Sequence, residues 1–507
     1  MEQIDLMAKL TSLCKRRGFI FQSSEIYGGL KSCYDYGPLG VELKRNIAQA
    51  WWKAMTFERD DIVGLDASIL MHPKVWQTSG HVGGFSDPLV DCKNCKERFR
   101  ADKAPRKNPG TAIEYFKNGK KADGSVKNVV GSQGYICPVC GSSDLSHERQ
   151  FNLMFKTNIG PVDQLNEAAQ AIAGKNLTAE EIRKILDEYS SKSATYLRPE
   201  TAQAMFVQFL NIQTATALKI PFGVAQIGKS FRNEIVVEHF IFRSCEFEQM
   251  EMEYFVEPGT HKTWLEYWKK ERMQWYLQYA RGQEKFRLRQ HDRDELAHYS
   301  DDCFDVEYLY PWGWGEIEGV ASRTDYDLTK HSEGSGVKLT YFDPQKADPV
   351  SGKIGMRYTP YVIEPAAGLT RLLLVFLLDA YTEEKGVDHE GKEKIRVVLK
   401  LHPEFAPIKA AVLPLVKKDG QPEYAEKIVK NLRRHGFKTS YDEQQSIGKR
   451  YAKHDEIGTP FCITVDNQTI VDDTVTIRNR DTTEQIRLHS DKVLTFIQDQ
   501  IKAANLA

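Results

Sequence analysis

The sequence predicts an α+β protein with three parts: a domain built on an antiparallel sheet, an insertion that carries cysteine pairs, and a C-terminal α/β domain. Two strand-like runs follow each other closely over residues 222–254, as in an antiparallel hairpin. Two Cys-x-x-Cys pairs lie in the turn-rich stretch 91–150. Strand and helix patterns alternate beyond residue 395, which is typical of a compact α/β domain.

The chain has 507 residues, enough for about two to four compact units. We expect the insertion to split the sheet domain, and the charged segment 388–394 (DHEGKEK) to separate that domain from the C-terminal one. The predicted boundaries are 1–90 and 151–390 for the sheet domain, 91–150 for the insertion and 395–507 for the C-terminal domain.

The composition excludes several classes of protein. Hydrophobic residues make up 41% and charged residues 27% of the chain, which argues against wholesale disorder. Lys and Arg number 69 against 70 Asp and Glu, so any nucleic-acid contact must use a local patch rather than a global basic field. The longest strongly apolar run, 372–378, is far shorter than the ~20 residues that span a bilayer. Because the N-terminal segment lacks the apolar region and cleavage site of a signal peptide, we expect a cytoplasmic protein.

The first half of the chain contains three predicted helices. Apolar spacing predicts a helix over 41–57 and a strand within 60–70. Two helices are predicted within 162–190. The second of them begins at Thr178, and Glu181 three residues later completes a capping-box pattern.

The runs 222–235 and 240–255 are predicted to pair as antiparallel strands joined by residues 236–239. Because side chains alternate between the faces of a strand, one face of the pair collects polar and charged residues. Such a face is usually only solvated, but two arginines, several carboxylates and a phenylalanine together favour a ligand-binding platform. Its members are Gln226, Ser230, Arg232, Glu234, Arg243, Phe247, Gln249, Glu251 and Glu253.

The remaining elements follow from the same periodicities. We predict a Trp- and Tyr-rich helix over 263–281, a strand at 359–364 and a largely buried helix over 367–384, with a dense acidic stretch over 316–327. The C-terminal domain is predicted to contain strands at 410–416, 437–442, 461–466 and 473–480, and helices at 423–436, 447–458 and 490–501.

Two close pairs of soft ligands, Cys92 with Cys95 and Cys137 with Cys140, form the arrangement that a tetrahedral Zn²⁺ ion needs. The 41 residues between the pairs exceed the usual spacing of a zinc ribbon, so a loop or hairpin must lie between them. A site closed by four thiolates has no open position, so we expect a structural metal. Four buried or oxidised cysteines are the alternative, and His147 is another candidate ligand.

Three sets of segments resemble the motifs of class II aminoacyl-tRNA synthetases. FRNE at 231–234 and FRSCEF at 242–247 resemble motif 2, IEPAAGLTR at 363–371 resembles motif 3, and GPLG at 37–40 with the strand before Pro73 resembles motif 1. Segments such as YLRPETAQ, WGEIEG and SIGKRYAKHDEIGTPF are similar to the homodimeric glycyl-tRNA synthetase family. The resemblance covers the whole chain apart from its helical insert.

This resemblance implies a homodimeric enzyme in which a class II catalytic domain, with a zinc-ribbon-like insertion, joins glycine to tRNA(Gly) using ATP, aided by a C-terminal anticodon-binding domain. Activation of an amino acid puts negative charge on phosphate oxygens, which fixed cations must meet. The resemblance assigns Arg232 to the α-phosphate, Arg371 to the γ-phosphate, Phe247 to stacking on adenine and Glu234 to the adenine amino group. The other residues that it assigns to the ATP site are Asn233, Phe242, Arg243, Glu316, Ile317 and Gly368, and acidic side chains there are expected to hold Mg²⁺.

A glycine pocket must offer acids to an ammonium group and cations or donors to a carboxylate. The residues that the resemblance assigns to it are Glu200, Glu251 and Glu364 toward the ammonium, with Arg100, Gln249 and Arg323 near the substrate. Alanine differs from glycine by one methyl group, whose attractive contacts change the binding free energy by only ~1 to 3 kcal/mol. We therefore expect the pocket to exclude alanine by steric clash.

Two positions depart from the family pattern. Ala366 stands where a serine is expected, and Cys245 stands where a second arginine is expected. These changes remove one hydrogen bond, about 1 kcal/mol, and one positive charge near the phosphates. Two other functions stay open: a synthetase for another small amino acid, and a synthetase-like nucleic-acid-binding protein without catalysis. The presence of Arg232, Glu234, Phe247 and Arg371 argues against the second.

Overall fold

The computed structural model describes residues 2–30, 32–105, 116–117, 120–121, 134–161, 163–192, 194–235, 239–293, 296–297, 300–349, 351–387 and 393–505. Most of the charged segment 388–394 and the middle of the predicted insertion lie outside the described residues.

The helices of the described chain are α1 (Glu2–Arg17), α2 (Gly40–Trp52), α3 (Pro73–Thr78), α4 (His81–Gly84), α5 (Gln164–Ile172), α6 (Ala179–Lys192), α7 (Ala202–Val207), α8 (Phe209–Thr216), α9 (His261–Tyr279), α10 (Tyr326–Ser335), α11 (Leu369–Ala380), α12 (Gln421–Arg434), α13 (Ile447–Glu456), α14 (Asn467–Asp472) and α15 (Val493–Ala504).

The strands of the described chain are β1 (Ile20–Gln22), β2 (Tyr34–Tyr36), β3 (Ile62–Gly64), β4 (Ser86–Asp91), β5 (Arg98–Arg100), β6 (Phe116–Lys117), β7 (Lys120–Lys121), β8 (Arg149–Asn152), β9 (Lys156–Asn158), β10 (Ala194–Tyr196), β11 (Phe222–Phe231), β12 (Glu246–Val256), β13 (Phe286–Gln290), β14 (Asp302–Tyr310), β15 (Gly313–Thr324), β16 (Tyr341–Ala347), β17 (Ile354–Tyr358), β18 (Tyr361–Gly368), β19 (Tyr381–Val387), β20 (Glu393–Leu399), β21 (Ala410–Pro414), β22 (Thr439–Tyr441), β23 (Phe461–Val465), β24 (Thr474–Asn479) and β25 (Gln485–His489).

A seven-stranded sheet supports the functional site. Its strand order is β13-β14-β15-β18-β12-β11-β3, and all neighbours are antiparallel except β11 and β3. Helices α9 and α11 pack against the sheet, and α2 packs against α11. Together they bury one large hydrophobic core, in which almost every residue of α11 is inaccessible to solvent. The predicted antiparallel-sheet domain is therefore confirmed.

The predicted central hairpin is present, but its strands are shorter than expected. β11 pairs with β12 from Phe222 opposite Phe255 to Phe231 opposite Glu246. Residues 232–235 and 243–245 lie outside the strands, and residues 240–242 form a 3-10 turn. The predicted strand ends were wrong because the polar residues there leave the ladder to enclose a cavity rather than continue the pleat.

Most other helices and strands match their predictions. The capping box at Thr178 forms, because its backbone N–H donates to Glu181 Oε2 at 2.8 Å while Glu181 N–H donates to Thr178 Oγ1 at 3.3 Å. The strand predicted within 60–70 is only three residues long, as β3. The helix predicted over 367–384 ends at Ala380, where the chain turns into β19.

The C-terminal part forms a separate mixed sheet with its own hydrophobic core. Its order is β22-β21-β23-β24-β25, with parallel pairing on both sides of β21 and antiparallel pairing beyond β23. The predicted strands and helices are all found, while α14 and β25 were not anticipated. The α+β class is thereby confirmed. Among the described residues, no helix is both long enough and apolar enough to cross a bilayer.

Candidate active site

A cavity of about 280 Å³ opens on the face of the seven-stranded sheet opposite α9 and α11. Its floor comes from alternate residues of β12, β14, β15 and β18, and its rim from the segment between β11 and β12 and from the first turn of α11. The predicted site residues that line it are Glu200, Arg232, Glu234, Phe242, Arg243, Phe247, Gln249, Glu251, Glu316, Glu364, Gly368 and Arg371.

The two arginines assigned to phosphate reach this cavity from distant parts of the chain. Arg232 follows β11, and its Nε donates to the carbonyl oxygen of Pro199 at 3.0 Å. Arg371 lies in the first turn of α11, where its Nη1 pairs with Glu316 Oε2 at 3.2 Å. Both guanidinium groups therefore line one space that is large enough for a small polar ligand.

Aromatic rings hold both guanidinium groups. Arg232 lies between the rings of Phe85 and Phe247, 5.3 Å from each centroid. Arg371 lies 4.6 Å from the centroid of Phe242 and donates from Nε to that residue's carbonyl oxygen at 3.2 Å. Cation–π contacts of this kind orient a guanidinium without neutralising its charge, so both groups keep their attraction for phosphate.

A cluster of acids lines the other end of the cavity. Burial, together with the charges of Glu364 and Glu200, raises the pKa of Glu251 to about 8. Gln249 Nε2 donates to Glu251 Oε1 at 2.6 Å and Thr201 N–H donates to Glu251 Oε2 at 2.9 Å, so the carboxyl group has a fixed orientation. Carboxyl groups this close together repel one another when ionised, and a bound cation would relieve that repulsion.

The neighbours of Glu251 titrate differently. Burial raises the pKa of Glu364, although Arg323 donates to both of its oxygens at 2.8 and 3.0 Å. Burial also acts to raise the pKa of Glu200, but His81 at 3.2 Å and Arg323 outweigh it and bring that pKa well below its ordinary value. Glu200 is thus ionised while Glu251 is largely protonated at neutral pH.

Four predicted site residues do not line the cavity. Arg323 lies beside it, fully buried between Asp327 and Glu364. Arg100 on β5 pairs with Asp87 at 2.6 Å and Asp102 at 2.7 Å. The side chain of Ile317 packs into the hydrophobic core on the other side of the sheet, since it points away from the face that carries Glu316. Asn233 adjoins the rim, where its backbone N–H donates to the carbonyl of Leu153 at 2.8 Å.

Sequence reasoning missed several residues that line the cavity: Ile241, Ser244, His291, Cys303, Asp305, Gly319, Ala321, Ala367 and Thr370. Ala366, singled out as a departure, is also in the lining. Cys245 is not, but its carbonyl accepts the backbone N–H of Arg232 at 2.9 Å. A predicted pairing of β14 with β15 would have placed Asp305 opposite Gly319 and so near the predicted site residue Glu316.

The four predicted zinc ligands form a cluster apart from the cavity. Cys92 Sγ lies 3.6 Å from Cys140 Sγ, and Cys95 Sγ lies 3.6 Å from Cys137 Sγ. All four sulfurs lie within 4.8 Å of one another. A tetrahedral ion with Zn–S bonds of about 2.3 Å requires sulfurs about 3.8 Å apart, so the donor set fits zinc.

Comparisons with known proteins agree with this architecture. Residues 409–500 match the anticodon binding domain family. The chain is 49% identical over 496 residues to the glycine–tRNA ligase of Treponema denticola, covering 98% of this chain and 97% of the relative. It is 47% identical over 500 residues to the glycine–tRNA ligase of Acetivibrio thermocellus, covering 98% and 99%.

Solved structures show the same fold at low sequence identity. Prolyl-tRNA synthetase of Giardia lamblia in complex with prolyl-adenylate has a TM-score of 0.61 at 14% identity, covering 99% of this chain and 80% of that one. Prolyl-tRNA synthetase of Cryptosporidium parvum with L-proline and AMP has a TM-score of 0.56 at 11% identity, covering 98% and 78%. These likenesses show the class II synthetase fold. The full-length identity to curated relatives shows more, namely that the chain belongs to the glycine–tRNA ligase family.

Proposed function

We propose that the protein is a glycine–tRNA ligase: it activates glycine with ATP to glycyl-adenylate, releases diphosphate, and passes the glycyl group to the 3′ end of tRNA(Gly). One observation carries the proposal. Two arginines suited to a triphosphate and three glutamates suited to an ammonium group line the same cavity. The membership of the chain in the glycine–tRNA ligase family agrees with it.

In the first step the carboxylate of glycine attacks the α-phosphorus and diphosphate leaves. Negative charge then rises on the phosphate oxygens, and Arg232 is the cation proposed to meet it at the α-phosphate. Arg371 would exchange its pairing with Glu316 for the γ-phosphate, which a planar guanidinium binds through two parallel hydrogen bonds. Phe247 and Glu234 are proposed to hold the adenine, with Asn233, Phe242, Arg243 and Gly368 around the nucleotide. Ile317 could contribute only through its backbone, because its side chain lies on the other side of the sheet.

The acidic end of the cavity is proposed to hold the ammonium of glycine. Glu200 supplies an ionised carboxylate, and Glu251 and Glu364 ionise when the cation arrives. Gln249 fixes Glu251, while Arg323 fixes Glu364 and so acts as a positioning residue. Arg100 is proposed to act at longer range, because Asp102, Asp87 and the more distant Glu234 raise the pKa of Arg100 in spite of burial.

The small residues of the lining are proposed to select glycine. Ala366 on β18 and Gly319 on β15 keep the floor flat, while Glu251 and Glu364 close the end of the pocket. Discrimination against alanine then depends on steric exclusion rather than on attraction.

Two metals are proposed. Glu316 is the acidic residue proposed to hold Mg²⁺, because it lines the cavity beside Arg371 and its pKa is lowered by that arginine in spite of burial. Mg²⁺, when bound, neutralises phosphate charge. Cys92, Cys95, Cys137 and Cys140 are proposed to hold a structural Zn²⁺ that ties the two ends of the insertion together.

The second step needs tRNA. In it a hydroxyl of the terminal adenosine attacks the carbonyl of glycyl-adenylate and AMP leaves. The match of residues 409–500 to an anticodon binding domain supports contact with the anticodon arm. We further propose that the protein acts as a homodimer in the cytoplasm, and the exposed apolar side chains of Ile26 and Tyr27 are candidates for a subunit contact.

The decisive experiment is amino-acid-dependent ATP–diphosphate exchange, followed by aminoacylation of tRNA. We expect exchange with glycine and none with alanine, serine or proline. Exchange with one of the other amino acids but not glycine would identify a synthetase of different specificity. Absence of exchange with all four would identify a binding protein that retains the fold.

A further inference from the structure

A second group of metal-ligand side chains lies in the wall of the cavity, away from the four cysteines. His291 directly follows β13, while Cys303 and Asp305 are two residues apart on β14 and therefore share one face. One ligand atom from each of the three lies within 4.8 Å of the other two. All three residues line the cavity, so a bound ion would be reachable from it.

We propose that His291, Cys303 and Asp305 bind a divalent transition cation of the zinc type, with a fourth coordination position open to the cavity. An imidazole nitrogen, a thiolate and a carboxylate together are ligands that Zn²⁺ accepts and Mg²⁺ does not favour. Three protein ligands with one open position also differ from the closed set of four thiolates in the insertion.

The backbone already places these groups for binding. The backbone N–H of His291 donates to the carbonyl of Cys303 at 3.0 Å, which fixes the loop after β13 against β14. His291 Nε2 lies 2.8 Å from Asp305 Oδ2, so both atoms face the same point. Gly319 stands opposite Asp305 across the ladder, and a Cβ atom there would lie 3.8 Å from Asp305 Oδ1. The absence of a side chain at Gly319 leaves the carboxylate open to the cavity.

The charged groups around His291, Cys303 and Asp305 also favour a bound cation. Asp305 lies near Glu316, which pairs with Glu307 in the β14–β15 ladder, and Cys303 lies near both carboxylates. A cation that faces them is Arg289, whose Nη1 lies 3.9 Å from Asp305 Oδ2, while His291 Nε2 lies 2.8 Å from the same oxygen. A divalent ion would add positive charge where carboxylates gather.

Binding is a ligand exchange without oxidation or reduction. The ion loses water, the thiol of Cys303 loses its proton to solvent, and a metal–sulfur bond forms. The open position holds a water molecule that a phosphate oxygen can replace. An ion there would lie beside Glu316 and would compete with Arg371 for that carboxylate.

Metal counting on the full-length protein tests the proposal independently of ligase activity. The protein is equilibrated with excess Zn²⁺, separated from unbound metal by gel filtration and analysed for zinc. We expect Cys303→Ala to hold one zinc equivalent fewer than the wild type. The matched control Cys462→Ala, in the core of the C-terminal domain, should hold as many as the wild type.

Substitution with Co²⁺ gives a second readout, because a cobalt–thiolate bond absorbs in the near ultraviolet. We expect part of this absorption to be lost in Cys303→Ala and to shift when ATP is added to the wild type. If Cys303→Ala does not fold by circular dichroism, His291→Ala replaces it, since that side chain is only partly buried. Equal zinc counts in the wild type and in a folded Cys303→Ala or His291→Ala protein would overturn the proposal.

Discussion

Glu251 is the residue whose protonation bears most directly on substrate binding. Its pKa of about 8 means that roughly a tenth of the molecules carry the charge at pH 7, whereas an ammonium ligand needs it ionised. A raised carboxyl pKa makes the charged form more abundant as pH rises. We therefore expect the KM for glycine to fall, by up to about tenfold, between about pH 7 and about pH 9.

Steady-state diphosphate exchange at a series of pH values measures this effect. In Glu251→Gln we expect a high KM for glycine that no longer changes over this range. The KM for ATP should change much less than that for glycine in the wild type. A KM for glycine that is independent of pH in the wild type would contradict the role of Glu251.

Glu253 affects stability instead of binding. It is fully buried on the same face of β12, and neither of its carboxyl oxygens accepts a hydrogen bond from any described residue. Burial, with the charge of Glu364, raises its pKa well above the ordinary value. Glu253 ionises near pH 4.3 in the unfolded chain but stays protonated in the folded protein up to its raised pKa. The free energy of unfolding should therefore fall by up to about 1.4 kcal/mol per pH unit between those two pKa values.

Glu253→Gln removes that ionisation. The resistance of the variant to urea should therefore decline less steeply with pH than that of the wild type, so that it gains relative stability from about pH 5 to about pH 8. Glu266→Gln on the exposed face of α9 is the control and should follow the wild type. A difference between Glu253→Gln and the wild type that does not vary with pH would show that the group is ionised in the folded protein.

At the residue scale, local sequence patterns explain most of the predicted site. Arg232, Phe247 and Glu251 belong to one hairpin whose period-two pattern is visible in the sequence. His291 and Asp305 were missed because they enter the cavity through pairing between strands, which leaves no local signal. The family resemblance assigned both Glu316 and Ile317 to the site, but the two side chains lie on opposite faces of the sheet.

At the level of secondary structure, the GPLG segment illustrates why a glycine is needed at the start of a helix. Gly40 begins α2, and a Cβ atom there would lie 1.8 Å from the carbonyl oxygen of Phe19 and 2.8 Å from its carbonyl carbon. The obstacle is backbone belonging to a fully buried residue, so it cannot move aside as a flexible side chain would. Helix α2 therefore packs against this turn more closely than any other residue type allows.

We expect Gly40→Ala to destabilise the protein by about 1–3 kcal/mol or more, since overpacking forces the backbone to shift. Gly83→Ala is the matched control. Gly83 lies in the short helix α4, where a Cβ atom would have no described neighbour within 4 Å, so this variant should be unaffected or slightly stabilised. Urea denaturation followed by circular dichroism compares the two. Equal urea midpoints for both variants would show that the backbone around Gly40 can shift to accommodate a Cβ atom at little cost in stability.

Predictions of secondary structure succeeded where the pattern was long and failed where tertiary contacts set the boundary. Helices α9 and α12 and strand β18 appear where apolar spacing placed them. The helix predicted to 384 stops at Ala380, because the next residues pair with β20 instead of continuing the turn. The short helix α14 escaped prediction, although Asp466 and Thr469 form a capping box at its start.

At the scale of the whole molecule, the chain brings together groups that are far apart in sequence. Arg232 comes from the end of β11 and Arg371 from α11, after the strands that complete the sheet. The C-terminal domain contacts the rest of the chain through ion pairs, such as Arg16 Nη1 to Glu456 Oε2 at 2.8 Å and Lys438 Nζ to Glu42 Oε1 at 3.0 Å. The alternation of strands and helices predicted that this domain exists, but the sequence contained no signal for these contacts.

The most direct test of the account compares glycine-dependent ATP–diphosphate exchange in the wild type, Arg232→Ala and Arg371→Ala. Arg183→Ala, on the exposed face of α6, serves as the control for loss of an arginine. We predict that each cavity variant loses exchange, by a factor of about a hundred or more, while its thermal unfolding and that of the control stay near the wild type. Exchange close to the wild-type rate in either folded cavity variant would contradict the claim that both guanidinium groups bind one triphosphate.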